Sequence, residues 1–306
     1  MKFDLHRLRL LYELEQRGTL TAVAAALSYS PSTISQQLSI LESEVGTALL
    51  EHVGRRVRLT PQGRILVEHT ASVLRQLQEA DAQITGSLGE TVGTLRIAAF
   101  QTAMLSLVPP VLAWLHDRYP GLRVEVTQAE PSAALHAQIP RDFDLAIHEV
   151  YPGHPLPQSR ELHEELLIAD PIRLVVPAKG NALDRGGTLS AYADSPWVME
   201  LPGSPARAWT MAACREAGFE PDIVYDCGDM FAHAQLVSDG HAVAFLPDLM
   251  WLNRSPNVLR YGLSSGDCRR IVTICALGMA EHPKVTAARS ALMAVAGRGS
   301  NLGSPS

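Results

Sequence analysis

Long apolar runs are missing from this 306-residue chain. None reaches the roughly 18–20 residues a helix needs to span a bilayer, so no membrane partner is expected. The opening Met1–Lys2–Phe3–Asp4 lacks the basic-then-apolar order of a secretory signal, which gives a cytoplasmic location as the expectation. Cysteine is scarce. Cys214, Cys227, Cys268 and Cys275 show neither CxxC spacing nor interleaved histidines, so no metal site is expected. Free, mostly buried thiols in a reducing compartment are the simple account of them. A redox pair of Cys214 with Cys227 is the sharper one, although only Arg215 lies close enough in sequence to depress either thiol's pKa.

Positive charge is also in short supply. Twenty-six Lys and Arg against 32 Asp and Glu leave a formal net charge of −6, which excludes a molecule that sticks to nucleic acid by charge alone. The bases that exist are grouped: Arg55, Arg56, Arg58 and Arg64 have only Glu51 as a nearby acid. DNA contact is therefore expected on one N-terminal face. Catalytic signatures are lacking as well. The chain has no strand-to-helix nucleophile elbow, no GxxxxGK[ST] loop, no HExxH and no GxGxxG behind a strand, so neither enzyme activity nor a cofactor is expected.

The first sixty residues read as short helices with tight turns. Leu5, Leu8, Leu11, Tyr12 and Leu14 recur at helical spacing, and Gly18 ends that run. Thr19 or Thr21 can cap a second, alanine-rich helix that reaches Leu27. After Ser28–Tyr29–Ser30, Ser30 is a good N-cap and Pro31 suits the first helical position, where its missing N–H costs nothing. The third helix would bury Ile34, Leu38 and Leu41 and expose Ser32, Thr33, Ser35, Gln36 and Gln37. That is a helix-turn-helix with a polar face able to bond base edges and phosphates. An ordinary solvated helix would show the same face. Alternation at Arg56–Val57–Arg58–Leu59 adds a basic hairpin turning near Gly54, a wing that would set Arg55 or Arg56 against the phosphate backbone or in the minor groove.

These residues resemble the LysR family of transcriptional regulators. The likeness is carried by Gly18 through Leu27, Ser30–Pro31–Ser32–Thr33–Ile34–Ser35–Gln36–Gln37–Leu38, Leu41–Glu42, Gly46, Leu49, Gly54 through Pro61, and Gly63. Leu50, His52 and Gln36 depart from residues usual there. The resemblance implies that Pro61 to about Leu88 is a linker helix that dimerises. Its apolar positions fit a heptad, with Leu66, Val73 and Ala80 in one series, Leu77 and Ile84 in the other, and Thr70 the polar exception. A helix packed on its own domain would fit too. A two-fold dimer, or a tetramer built from it, would prefer a pseudo-palindromic operator on double-stranded DNA.

Gly86 to Gly93 reads as a hinge. Beyond it, strand-like stretches (Leu95–Phe100, Leu122–Thr127, Phe143–Ile147, Ile172–Val176, Trp197–Glu200, Ile223–Tyr225, Ala242–Leu246) alternate with helices at Ala103–Arg118, Ala206–Ala217, Met230–Ser238 and Pro283–Ala296. The expectation is an α/β domain with mainly parallel sheets. The family implies the two-lobed fold of periplasmic binding proteins, with the chain crossing near Glu161–Leu167 and returning near Leu263–Cys268. The expected organisation is a winged helix-turn-helix over 1–60, a linker helix and hinge over 61–92, a sensing domain over 93–296 and a disordered Gly/Ser-rich tail over 297–306. Within the sensing domain, lobe 1 takes 93–162 and 267–296 and lobe 2 takes 163–266.

In such folds a ligand sits beyond strand ends, where helix N-termini face a crevice. Gln101–Thr102–Ala103, Gly203–Ser204 (with Pro205 opening a helix) and Asp229 have that placement, and strand-end His148 and Glu149 can reach it. Free N–H groups at helix starts favour an anionic effector such as a carboxylate, which Asp229 would repel unless paired. Each of these residues can also be a plain helix cap, and His148 a structural histidine. The expected protein is a regulator whose DNA binding responds to a small molecule between the lobes. A thiol-based redox regulator and a solute-binding module without regulatory output are the alternatives. The second leaves the first sixty residues without a purpose.

Overall fold

The computed structural model describes residues 3–53, 56–130, 132, 138–139, 141–178, 180–252, 257–263 and 266–299. Two compact units emerge, Met1–Ser87 and Leu88–Ser306.

In the first unit each helix starts and stops where its end residues dictate. α1 (Leu5–Arg17) is capped by the Asp4 carboxylate, which accepts the Arg7 N–H, and ends on Gly18 at φ +75°. α2 (Leu20–Leu27) takes its cap from Thr19, and Ser28 closes it in a left-handed conformation. α3 (Pro31–Val45) has Ser30 as N-cap, Pro31 at its start and Gly46 at φ +82° as its stop. Leu11, Val23, Ile34, Leu38 and Leu41 meet in one fully buried core. Each such side chain contributes about 1.5–3 kcal/mol by leaving water. β1 (Leu50–Val53) and β2 (Arg56–Leu59) form an antiparallel hairpin with Leu50 opposite Leu59 and Glu51 opposite Arg58. The expected turn, Gly54–Arg55, lies outside the described residues.

The 27-residue α4 (Pro61–Ser87) follows. Its first half packs on this unit's own core through Leu66, Val67, Ala71 and Leu74. Leu66 is thus a core residue and not part of a free heptad seam. Thr70 is buried, its hydroxyl donating to the Leu66 carbonyl at 2.7 Å. Val73, Leu77 and Ile84 are exposed.

The second unit is built on a sheet whose strands lie in the order 258–262, 162–177, 268–276, 145–150, 93–99 and 122–128, with 244–247 also on 162–177. β3 (Gly93–Ala99) pairs in parallel with β4 (Leu122–Gln128) and β5 (Leu145–Val150). The 16-residue β6 (Leu162–Pro177) runs antiparallel to β9 (Ala244–Pro247), β10 (Val258–Gly262) and β11 (Cys268–Ala276). β11 is antiparallel to β5. The sheet is therefore mixed, correcting the mainly parallel expectation. The reason is that one strand crosses between lobes and another returns beside it. β6 pairs with β11 as far as Pro171 and with β9 and β10 from Ile172 on, so the outward crossing lies at Pro171–Ile172, beyond Glu161–Leu167. β7 (Pro196–Met199) and β8 (Asp222–Asp226) make a separate parallel pair.

The expected helix Ala103–Arg118 is two helices, α5 (Gln101–Ser106) and α6 (Val108–Arg118). Pro109 and Pro110 lack the N–H groups a continuous helix needs, so they open a new one. α7 (Pro205–Glu216) and α8 (Met230–Ser238) belong to the second lobe. α9 (Pro283–Gly299) returns to the first-lobe core and runs through Gly297–Gly299, where a disordered tail was expected to begin. The rest of that tail, from residue 300, lies outside the described residues. No helix among the described residues is long and apolar enough to cross a membrane.

Candidate functional site

α3 presents the first candidate surface. Its start is fixed by hydroxyls: Ser30 Oγ accepts the Thr33 N–H at 3.1 Å and lies 2.7 and 2.8 Å from the Ser32 and Thr33 hydroxyls. Pro31, Ser32, Ser35 and Gln36 are exposed, and Thr33 and Gln37 are half-buried. The Gln37 carbonyl accepts from Arg7 at 3.4 Å, so its amide nitrogen remains the group it can offer outward. Behind this face, Glu42 Oε1 accepts the backbone N–H groups of Leu49 (2.8 Å) and Leu50 (3.0 Å), which fixes the hairpin relative to α3. Arg58 stands exposed on β2. Arg56 lies on the same strand, and Arg55 falls outside the described residues. α3 and the hairpin thus give a rigid, polar and basic surface, the chemistry that meets phosphates and base edges.

The second candidate is the seam between the lobes. Its anchor is Arg269 on β11, completely buried at the crossing point, where Asp170 of β6 is its register partner. Its guanidinium gives a 2.8 Å bond to Asp170 Oδ2, a second bond to Glu149 at the end of β5 and a third, at 2.8 Å, to Thr102 Oγ1 of α5. Burial alone would lower the Arg269 pKa, but Glu149 and Asp170 hold it above its ordinary value. Burial pushes both of those carboxyls up, with Arg269 opposing it. Asp170 also accepts the Leu249 N–H at 2.8 Å, which ties in the 3₁₀ turn Asp248–Trp251.

Gln101 bridges the lobes. Its Nε2 donates to Asp229 Oδ1 at 2.8 Å and its Oε1 accepts the Met230 N–H at 3.1 Å, so a side chain of α5 caps α8. Tyr151, just past β5, reaches Trp209 of α7, ring centroids 6.3 Å apart, and Trp209 lies 5.2 Å from Phe245 of β9. These rings wall a cavity of about 20 Å³ that Glu200, Thr210 and His233 also line. That is room for roughly one water.

The structure brings Gln101 and Asp229 together and leaves other expected ligands aside. Thr102 is buried with its hydroxyl bound to Arg269, and Ala103 is wholly buried in the first-lobe core. Both support the seam from beneath. His148 is buried on the strand face opposite Glu149, its Nδ1 2.8 Å from the Glu149 carbonyl. Ser204 caps α7 by accepting the Arg207 N–H at 3.1 Å, and Gly203 supplies the left-handed turn before it at φ +92°. Sequence reasoning missed Arg269, Tyr151, Glu200, Trp209 and Thr210. The one legible signal was an arginine inside the apolar alternation Arg269–Ile271–Thr273, where an inward charge demands partners.

The thiols show little reactive chemistry. Cys214 is buried, and burial, with Glu220 adding to it, pushes its pKa up to about 12. Cys227 Sγ accepts the Asp229 N–H at 3.4 Å. Among the described residues no group of three or more His, Cys, Asp or Glu is placed to hold a metal ion.

Comparison with known proteins places both units. Residues 5–64 match the model of a bacterial regulatory helix-turn-helix protein of the lysR family, and residues 88–296 match the LysR substrate binding domain. The chain is similar to the transcriptional dual regulator GltC of Bacillus subtilis, 28% identical over 256 residues that cover 83% of each chain. It is 28% identical over 241 residues to a probable hydrogen peroxide-inducible genes activator of Mycobacterium avium, covering 78% of this chain and 76% of the relative. Among solved structures, a full-length OxyR variant from Pseudomonas aeruginosa shares the fold with a TM-score of 0.67 at 20% identity, over 95% of this chain and 94% of that one. With both of its units matched and the larger match covering more than half its length, the chain belongs to the LysR family of transcriptional regulators, a helix-turn-helix followed by an effector-binding domain.

Proposed function

We propose that this regulator reads a pseudo-palindromic operator as a homodimer or a homotetramer, and that a small molecule bound between the lobes of its second unit modulates that binding. The observation that carries the DNA-reading half is the exposed row Ser32, Ser35 and Gln36 on a helix held rigid by the buried Ile34, Leu38 and Leu41. Gln36 and Gln37 suit adenine edges, Ser30, Ser32, Thr33 and Ser35 suit phosphates or bases, and Pro31 presets the helix start. Arg55, Arg56 and Arg58 supply phosphate contacts from the wing. The exposed Val73, Leu77 and Ile84 of α4, spaced by four and seven residues, support pairing through that helix. Gln101, Asp229 and the Gly203–Ser204 turn frame the effector entrance, with Thr102, Ala103 and His148 as supporting structure. The cytoplasm is the compartment in which such a regulator meets its DNA.

A thiol switch, which the Mycobacterium relative brings to mind, finds no support in Cys214, whose thiol is buried and hard to ionise. Titration of a labelled duplex from the region upstream of this protein's own coding sequence tests the DNA half. Gln36→Ala is expected to cost about 1–3 kcal/mol and to relax preference at one base pair per half-site. Arg58→Ala is expected to weaken all duplexes alike and to flatten the log K against log salt slope by about one. If Gln36→Ala and Arg58→Ala leave affinity, preference and slope unchanged, α3 and the wing are not the reading surface.

A further inference from the structure

The walls of the inter-lobe cavity select the sign of the charge its ligand carries. Glu200, at the exit of β7, lines the space that Tyr151, Trp209 and Phe245 bound. No cation among the described residues bonds its carboxylate, and the charge of Arg269 opposes the effect of burial on it only in part. Arg207 is paired with Asp226 and gives Glu200 only a bond to its backbone carbonyl, at 2.9 Å. Arg269 is committed to Glu149, Asp170 and Thr102. His233 is buried with Nε2 2.6 Å from the Cys227 carbonyl, and burial lowers its pKa, so it adds no positive charge. Further acids stand around the seam: Glu149, Glu130 and Asp229. The first two, after burial itself, help to push the Glu200 pKa up to about 7.

An independent observation points into the same space. Thr210 of α7 is 9% exposed, lines the cavity and makes no hydrogen bond to any described residue. Its hydroxyl is thus open to the cavity and available to a ligand's donor. The helix N-termini that were expected to attract an anion are already occupied, α8 by Asp229 and Gln101 and α7 by Ser204.

We propose that this cavity is the head-group subsite of the effector cleft and that it takes a small organic cation, an amine in its ammonium form, in place of the anion expected from helix ends. The charge lies against Glu200, the aromatic rings offer their negative faces, and Thr210 accepts an N–H. The inference rests on the effector reading above and supplies its ligand class. As it stands the cavity admits only the volume of a water, so an amine with a carbon chain must part the lobes and exchange the Gln101 bonds to Asp229 and Met230. Differential affinity for the parted form is what lets such a ligand act.

The test uses the full chain at pH 8 with two probes that share a carbon chain and differ in sign, n-butylammonium and butyrate. Binding is followed by thermal shift and by tryptophan fluorescence, since Trp209 lines the cavity. The expected result is saturable binding of n-butylammonium and none of butyrate at equal concentration. Glu200→Gln is expected to weaken the amine about tenfold or more, with a smaller loss in Thr210→Val, which guards against misfolding of the first variant. Butyrate binding that Thr210→Val weakens, without amine binding, overturns the cation inference and leaves the effector cleft standing. Equal binding of both probes, or amine binding indifferent to both variants, also overturns it. No site-dependent response to either probe overturns the cation inference and leaves the effector reading standing.

Discussion

Arg269 shows how one residue organises the seam. Removing its guanidinium leaves Glu149 and Asp170 buried without a counter-charge, so Arg269→Met is expected to cost about 3–5 kcal/mol in chemical denaturation. Adding Glu149→Gln and Asp170→Asn to it should recover much of that loss, and a single variant as stable as the parent would show that the web is not structural. Glu200 makes the opposite case, a carboxyl the fold disfavours in its charged form. Burial, with Glu149 and Glu130 adding to it, lets it hold its proton to about 7 when folded, against the ordinary 4.5 of the unfolded chain. Between those pH values the folded state binds more protons, so this residue makes stability fall as pH rises. Glu200→Gln removes that dependence. Thermal unfolding should show the variant gaining on the parent from pH 4.5 to pH 8, and parallel curves would contradict it. Caps were the residues most legible in the sequence. Thr19, Ser30, Ser204 and Asp229 each make a side-chain bond to a helix N-terminus, because a cap is a local event. Arg269, Glu149 and Asp170 form their site from positions up to 120 residues apart, and nothing local announces that meeting.

At the scale of elements, close approach sets the demands. A Cβ on Gly63 would lie 2.3 Å from the Leu49 carbonyl oxygen, so α4 can seat against the hairpin only with a glycine there. Gly63→Ala is expected to destabilise the first unit by about 1–3 kcal/mol through overpacking, read as a fall in the helix-turn-helix unfolding transition. An unchanged transition would mean that α4 seats differently. The second half of α4 has the reverse problem, apolar residues with nothing over them. Leu77 and Ile84 are 47% and 62% exposed, the signature of a surface waiting for a partner. Leu77→Glu with Ile84→Glu should convert the protein to monomer in light scattering after gel filtration, and retained oligomers would place the interface elsewhere. Strand–helix alternation was readable because period and turn residues report it. β11 was not read as a strand, and β6 was read only in its Ile172–Val176 part, since β6 changes partners between lobes and β11 is buried almost throughout, so neither carries a single alternation.

For the whole molecule, the balance of charge decides how it must work. With a net charge of −6, general attraction to DNA is weak, which is why the proposed reading assigns binding to a local basic wing and to base contacts by α3. That division was visible in the sequence because both parts lie in one contiguous stretch. The cationic ligand proposed above was not, because that proposal depends on which charges remain unpaired after folding. The most direct measurement is a competition at about 0.15 M salt between the duplex upstream of this protein's coding sequence and a shuffled duplex of equal length and composition. Sequence-specific recognition predicts tighter binding to the upstream duplex by about a thousandfold or more. Equal affinities with the same salt slope would contradict it.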